Sequence, residues 1–365
     1  MKVREEILSI KPYVPGKPIA EVKRELGLDD VIKLASNENP LGPSPAGVKA
    51  ACSAAPELNQ YPDGACYELK EALSKHLGVA SSQLIVGNGS DEVIKLLAEA
   101  FLCPGDEVIL GRYTFSEYEF ATGLMGGKLV VVDPKDWRED LSAMAEAVTE
   151  RTRLVFVGNP NNPLGTVVAK REVDALLAKL PQDAILVLDE AYYEYVTDPD
   201  YPESIDYVKE GKNVIALRTF SKAYGLAGLR VGYGIAKDEI ISALNRVREP
   251  FNVNLLAQVA AKAALEDQEH IEKSKQINEE GKAYLYAEFE RLGLEYIPTE
   301  ANFIMVKVGR PSREVFSELL RRGVIIRTGD IFGLDDFIRV SIGLPEENRR
   351  FISALSEVFF TFVTC

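Results

Sequence analysis

The chain has 365 residues, 46% of them apolar, enough for one large or two medium domains around a real core. Its 42 basic and 56 acidic residues leave a net charge of −14, which excludes a bulk positive field for nucleic acid or an anionic membrane. The first residues, Met1 to Ile7, lack an apolar signal core, and no stretch is long enough to span a bilayer, so a cytoplasmic protein is expected.

In chain order, residues 1–32 hold Pro12, Pro15, Gly16 and Pro18 and then one helical pattern. They read as an arm packed on a smaller C-terminal domain. From about residue 66 to 235, amphipathic stretches such as 68–77 alternate with short apolar runs at 83–87, 107–111, 128–132, 153–157, 184–188 and 213–217. Such runs read as strands buried on both faces, and their alternation with helices predicts an α/β fold with a mostly parallel sheet. Ligands of such sheets sit beyond the carboxyl ends of the strands. A large domain is therefore expected over 33–250. Long helical stretches at 237–248, 255–268 and 270–292 follow. Short strands near 303–308, 324–327 and 337–342 and a closing helix from about 346 come next, which predicts a smaller α+β domain over 251–365.

The cysteines at 52, 66, 103 and 365 form no Cys-x-x-Cys pair, so neither a metal knuckle nor a redox motif is expected. The two histidines, His76 and His270, lie in charge-rich helical stretches and read as surface residues. A histidine-dependent hydrolase or metal site is disfavoured.

The loops that follow the strands carry the chemistry. Gly87-Asn-Gly-Ser-Asp-Glu92 leads into a helix whose free N–H groups suit an anion, although Ser90 and Asp91 serve equally as caps. The third glycine of a dinucleotide fingerprint is missing, and no Gly-Lys-Ser/Thr follows. In Tyr113-Thr-Phe-Ser-Glu-Tyr118, Phe115 is placed to stack on a planar ring, or else to fill the core. The loop Gly158-Asn-Pro-Asn-Asn-Pro-Leu-Gly165 is a rigid turn in which Asn162 points an amide at the cleft, or in which all three asparagines only shape the turn. Asp189 ends a strand half desolvated and wants a cation, either a protonated ring nitrogen or a structural arginine. Lys222 sits in Thr219-Phe-Ser-Lys-Ala-Tyr-Gly-Leu-Ala-Gly-Leu-Arg230. With Ser221 and Arg230 as a phosphate cup, it suits a Schiff base to a phosphorylated aldehyde, where Asp189 would make the ring an electron sink. An ordinary solvated lysine is the competing reading.

Taken together, Asn159-Pro-Asn-Asn-Pro163, Asp189-Glu-Ala-Tyr192 and the run around Lys222 make the chain resemble the fold-type-I pyridoxal-phosphate aminotransferases from about residue 11 onward. Further runs at 11–18, 36–45, 61–64 and 250–254 resemble the histidinol-phosphate aminotransferase branch of that family. The resemblance implies pyridoxal 5'-phosphate as cofactor, joined to Lys222. It implies that Asp189 pairs with the ring nitrogen, and that Asn162 and Tyr192 reach the ring hydroxyl oxygen. Phe115 would take the stacking position, and Ser90, Ser221 and Arg230, with amides near Gly89 and Asp91, would hold the phosphate. Tyr61 would reach the phosphate of a neighbouring subunit, which implies a homodimer with shared sites. Arg339 would clamp a substrate carboxylate. Arg327 would join it on a phosphate, or else pair with Asp330 or Asp335, and Tyr13 and Asn37 would close over the site. Two positions depart from the family pattern: Leu164 where threonine is usual, and Tyr113 where proline is common. The implied reaction moves an amino group between L-histidinol phosphate and 2-oxoglutarate, forming glutamate, in histidine biosynthesis. An aromatic amino-acid aminotransferase, a threonine-phosphate decarboxylase and a non-catalytic binding or regulatory module on the same fold stay open at this stage.

Overall fold

In the computed structural model, residues 3–8, 10 and 16–363 are described, with side chains through 359. After a two-residue strand β1 (Ile32–Lys33), seven strands form the main sheet. They are β2 (Leu84–Gly87), β3 (Glu107–Gly111), β4 (Lys128–Val132), β5 (Thr152–Gly158), β6 (Ile185–Asp189), β7 (Val214–Thr219) and β8 (Gly232–Ala236). The order is β2-β8-β7-β6-β5-β3-β4. Strands β3 to β7 run parallel, and β8 is antiparallel to both of its neighbours.

Alternation along the central strands shows why the runs are apolar throughout. Leu154 and Phe156 of β5, with Ile185 and Val187 of β6, face one helical layer. Val155, Val157, Leu186 and Leu188 face the other. Successive side chains of a strand point to opposite faces, so a strand covered on both sides has no polar position to spare. Each such buried side chain contributes roughly 1.5–3 kcal/mol.

Two strands depart from the expected pattern. Lys128–Val132 was expected to be buried on both faces, yet it is the sheet's edge, with Lys128 and Val131 exposed, because only β3 flanks it. Strand β8 carries two glycines, which hide it from a periodicity reading. They are needed because it passes close to its neighbours: a Cβ on Gly232 would lie 2.4 Å from the Ser90 amide nitrogen.

A second, antiparallel sheet contains β9 (Tyr296–Ile297), β10 (Phe303–Lys307), β12 (Arg327–Thr328) and β13 (Phe337–Ser341), in the order β12-β13-β10-β9. Nearby, β1 pairs in parallel with β11 (Val324–Ile325). Helices Ser312–Arg321 and Pro345–Val363 bury Val315, Leu319, Phe351 and Leu355 with Ile304, Val306, Ile338 and Val340. The long helix Gln268–Arg291 belongs to both cores, contributing Ile271 to the larger and Leu285 and Phe289 to the smaller. Helix Leu255–Leu265 packs Ala257, Ala260 and Ala264 into the larger core, so that core runs past residue 250 in the sequence.

The N-terminal residues touch both halves rather than the smaller one alone. Arg4 donates to the Leu124 carbonyl at 2.8 Å, beside helix Ser116–Leu124. Helix Ile19–Leu26 instead buries Val22 against Val31, Ala35 and Ile325.

Candidate active site

The carboxyl ends of β5, β6 and β7 open toward the segment Ala35–Asn37, which leaves β1 for the main sheet. Three consecutive residues there collect three side chains. The Ala35 carbonyl accepts from Arg339 Nη2 at 3.0 Å, and the Ser36 carbonyl accepts from Lys222 Nζ at 3.4 Å. Asn37 donates from Nδ2 to the Tyr192 hydroxyl at 2.9 Å. Asn37 is buried in the left-handed region at φ 56°, which asparagine tolerates better than most side chains. Its amide N–H donates to Ser341 Oγ at 2.8 Å, and Ser341 Oγ donates back to Asn37 Oδ1 at 3.0 Å. One asparagine thus ties strand β13 of the smaller sheet to a tyrosine just past the end of β6.

Asp189, the last residue of β6, is 6% exposed. Its Oδ2 accepts from the Tyr118 hydroxyl at 2.7 Å, and its Oδ1 accepts from the Ala191 amide at 3.2 Å. Burial pushes its carboxyl up to about 6, against the lowering effect of the Tyr118 hydrogen bond. A structural arginine does exist nearby, but it belongs to the next residue. Arg218 Nε meets Glu190 at 2.8 Å, both groups fully withdrawn from solvent, and its guanidinium lies over the Tyr193 ring. Asp189 is left facing the cleft with no cation among its hydrogen-bond partners in the described residues.

The residues expected to form a phosphate cup lie together. Gly89 (φ 83°) precedes helix Ser90–Phe101, and a Cβ there would lie 2.5 Å from Arg230 Nη2. Arg230 Nη2 donates to Asp91 at 2.9 Å, and its Nη1 lies 3.5 Å from Ser221 Oγ. Ser221 is itself fixed by Thr219, whose Oγ1 donates to Ser221 Oγ at 3.0 Å. A helix start, a guanidinium and two buried serines, Ser90 and Ser221, converge on bare backbone.

The asparagine loop divides its labour. Asn159 and Asn161 shape the turn: the Val168 amide donates to Asn159 Oδ1 and the Leu164 amide to Asn161 Oδ1, both at 3.0 Å. Asn162 alone reaches across, accepting from Arg339 Nη1. Arg339 is 6% exposed on β13, and its register partner on β12 is Arg327, so the two arginines are cross-strand neighbours on one face. Asp330 pairs with Arg313 at 2.5 Å. Phe115 caps helix Ser116–Leu124 and sets its ring edge-on to Tyr118 at 5.8 Å.

Tyr61 stands apart in this chain, 83% exposed and stacked on Phe251 at 4.9 Å. Tyr13 lies outside the described residues. His270, expected at the surface, is buried, because it and Ser274, one turn on in the same helix, meet Asn39, and Asn39 and Ser274 both donate to the Ala223 carbonyl just past Lys222. Leu164 is fully buried and packs with Ile297, Met305, Leu334, Phe337 and Tyr113, so the two departures from the family pattern meet in one apolar cluster.

Three groups escaped the sequence reading: Tyr118, the Arg218–Glu190 pair and Glu139. Glu139 is 4% exposed and accepts from Asn161 Nδ2 at 3.0 Å, and burial pushes its carboxyl up to about 8. The spacing of Tyr118 three residues after Phe115, on one helical face, was the one available signal.

Comparison with known proteins bears on this geometry. The family model for aminotransferase class I and II matches residues 29–355. The chain is 62% identical to the histidinol-phosphate aminotransferase of Moorella thermoacetica, over 98% of this chain and 93% of that one. It is 51% identical to the enzyme of the same name from Caldicellulosiruptor saccharolyticus, over 97% and 99%. Among solved structures, histidinol-phosphate aminotransferase from Sinorhizobium meliloti in complex with pyridoxal-5'-phosphate superposes with a TM-score of 0.91 at 30% identity, covering 99% of this chain and 98% of that one.

Proposed function

The chain belongs to the class I and II aminotransferases, and on that footing we propose that it moves an amino group between L-histidinol phosphate and 2-oxoglutarate, with pyridoxal phosphate as cofactor. The observation that carries the reading is the near full-length 62% identity to an enzyme of that name, joined to a site whose parts fit both cofactor and substrate. The cofactor fits on grounds internal to the site. Asp189 is a buried carboxylate with no cationic partner among its hydrogen bonds, and the phosphate cup is lined by backbone too close to Arg230 and Ser90 to admit a side chain at Gly89 or Gly232.

When bound, that cofactor supplies a carbonyl that exchanges amines and a ring that accepts electrons. The residues of the chain do the rest. Ser90, Ser221 and Arg230 hold the phosphate, with amides near Gly89 and Asp91, and Phe115 covers the ring. Asp189 keeps a proton on the ring nitrogen, and Asn162 and Tyr192 hold the ring hydroxyl oxygen. Lys222 Nζ would take the proton from the substrate carbon that bears nitrogen and give it to the carbon on the other side of that nitrogen, as base and then acid. Arg339 and Arg327, neighbours across β12 and β13, receive the anionic end of each substrate by charge-assisted bonds. Asn37 closes over it.

The same reading extends to assembly and place. Tyr61 with Leu41, Val48, Leu58, Tyr67 and Phe251 are large apolar side chains left exposed. A second copy covering them would bring Tyr61 to the partner's phosphate cup. The enzyme then works as a homodimer in the cytoplasm, in histidine biosynthesis.

A single-turnover absorbance experiment tests the substrate. Cofactor-loaded protein is mixed with histidinol phosphate, phenylalanine or threonine phosphate, without a keto acid. Rapid conversion of the cofactor to its aminated form with histidinol phosphate is the expected result. Faster conversion with phenylalanine would replace the reading with an aromatic aminotransferase, and carbon dioxide from threonine phosphate with a decarboxylase. A chain that holds no cofactor would make it a binding module.

A further inference from the structure

We infer that Tyr118 is a positioning residue for Asp189: its hydroxyl fixes the carboxylate that would face the cofactor ring nitrogen. The inference rests on the cofactor reading above.

Tyr118 is 1% exposed, the third residue of helix Ser116–Leu124. Its ring lies flat on Phe156 of β5, with centroids 4.6 Å apart and planes 8° apart, and Phe115 meets it edge-on at 86°. Its backbone carbonyl accepts from Thr122 Oγ1 at 2.7 Å. A ring clamped this way has no freedom to turn its hydroxyl elsewhere. The hydroxyl points at Asp189 Oδ2 from 2.7 Å and is the one side-chain donor that Asp189 receives among the described residues.

The chemistry follows from the surroundings. Charged groups that bear on Asp189 include Asp91, from the helix behind Gly89, and its own neighbour Glu190. Both are acids, and with burial they push Asp189 toward its neutral form. The Tyr118 hydroxyl and the Ala191 amide act the other way. A carboxylate can hold a proton on a ring nitrogen; a carboxylic acid that has kept its own proton has no charge to offer it. Tyr118 stays a donor, because burial and the adjacent carboxylate raise its own ionisation far above the ordinary phenol range. With Oδ2 held by Tyr118 and Oδ1 by the Ala191 amide, the carboxylate plane is fixed before any ligand arrives.

Tyr118→Phe removes one oxygen and keeps the stack on Phe156. The full chain, stripped of cofactor, is titrated with pyridoxal phosphate and with its carbocyclic analogue, in which carbon replaces the ring nitrogen. Wild type is expected to bind the natural cofactor more tightly than the analogue. In the variant, Kd for pyridoxal phosphate should rise by roughly tenfold or more, the loss expected for one hydrogen bond to a charged group, while Kd for the analogue stays level. An equal loss for both ligands would make Tyr118 a packing residue only and overturn the inference, as would no loss for either. A wild type that binds the two ligands alike would overturn the placing of Asp189 at the ring nitrogen, and the inference with it. A wild type that binds neither would overturn the cofactor reading itself. Unchanged far-ultraviolet circular dichroism in the variant separates these outcomes from misfolding.

Discussion

The floor and the rim of the cleft are built by different means. The floor (Asp189, Lys222, Ser221 and Arg230) hangs from the ends of β6 and β7 and the turn before β8, so the backbone ladder of one sheet sets most of its geometry. The rim is built by side chains that bridge distant segments: Asn37 to Ser341, 304 residues apart, and Arg339 to Asn162, 177 apart. A floor held by main chain suits a cofactor that stays, and a rim held by side-chain bonds suits substrates that come and go. Substitutions should sort accordingly.

The largest effect belongs to the floor. Lys222→Ala should lower turnover by roughly 10²–10⁴-fold or more, the scale of a lost general acid–base, and leave the rim bonds of Arg339 intact. Stopped-flow absorbance with histidinol phosphate checks it, and turnover within tenfold of wild type would remove Lys222 from the chemistry. The floor also carries a pH signature beneath the asparagine loop. Glu139 titrates near 8 when folded and near 4.5 in an open chain, so the folded chain holds an extra proton between those values. That contribution to stability is full below about pH 4.5 and is lost as pH rises through 8. Glu139→Gln keeps an acceptor for Asn161 and has nothing to titrate. The drop in unfolding free energy between pH 5 and pH 8, read from denaturant titrations, should shrink by an amount on the order of a few kcal/mol. An unchanged slope would mean Glu139 titrates normally.

How far the two regions could be read in the sequence follows the same division. Lys222, Asp189 and Ser221 were legible because strand-end position follows from apolar runs and loop composition. Asn37 and Arg339 came only through resemblance, since no local pattern says that a turn after β1 will meet β13. Tyr118 and Glu139 were not legible as site residues: Tyr118 meets Asp189 across 71 residues, and a tyrosine in a helix start looks like any core aromatic. His270 was misplaced at the surface because its charged neighbours set the pattern, while the one face that matters docks on Asn39. Strand β8 was missed because its two glycines answer to close approach and carry no apolar period.

The rim should respond in substrate terms. Arg339→Lys removes the planar fork that serves Asn162 and the Ala35 carbonyl together, and a lysine cannot restore both directions. kcat/KM for 2-oxoglutarate should fall about 100-fold, with cofactor affinity changed far less, because Ser90, Ser221 and Arg230 make no bond to Arg339 and only Asn162 is shared between it and the cofactor reading. Steady-state kinetics paired with equilibrium dialysis reads both quantities. A parallel loss of cofactor would show that floor and rim are one unit and dissolve the distinction.

The mildest test falls on the seam between the two. Leu164 leaves the asparagine loop of the larger half and packs, fully buried, against Ile297, Met305, Leu334 and Phe337 of the smaller, with Tyr113 beside it. Leu164→Thr exchanges buried methyl groups for a hydroxyl in an apolar cluster, at a cost of about 2 kcal/mol. The loss should appear in thermal stability and in KM, because the seam holds the rim over the floor, and kcat should stay near wild type, because no floor residue touches Leu164. A variant that loses kcat at constant KM would place the seam's effect on the asparagine loop itself, through Asn162. The Tyr113→Ala, Leu164→Thr double variant then decides between them, alanine being chosen because Tyr113 stands at φ 59°, which proline cannot adopt. If the two positions act only by filling one cluster, the combined loss is less than additive, because the second truncation enters a cavity the first has already opened.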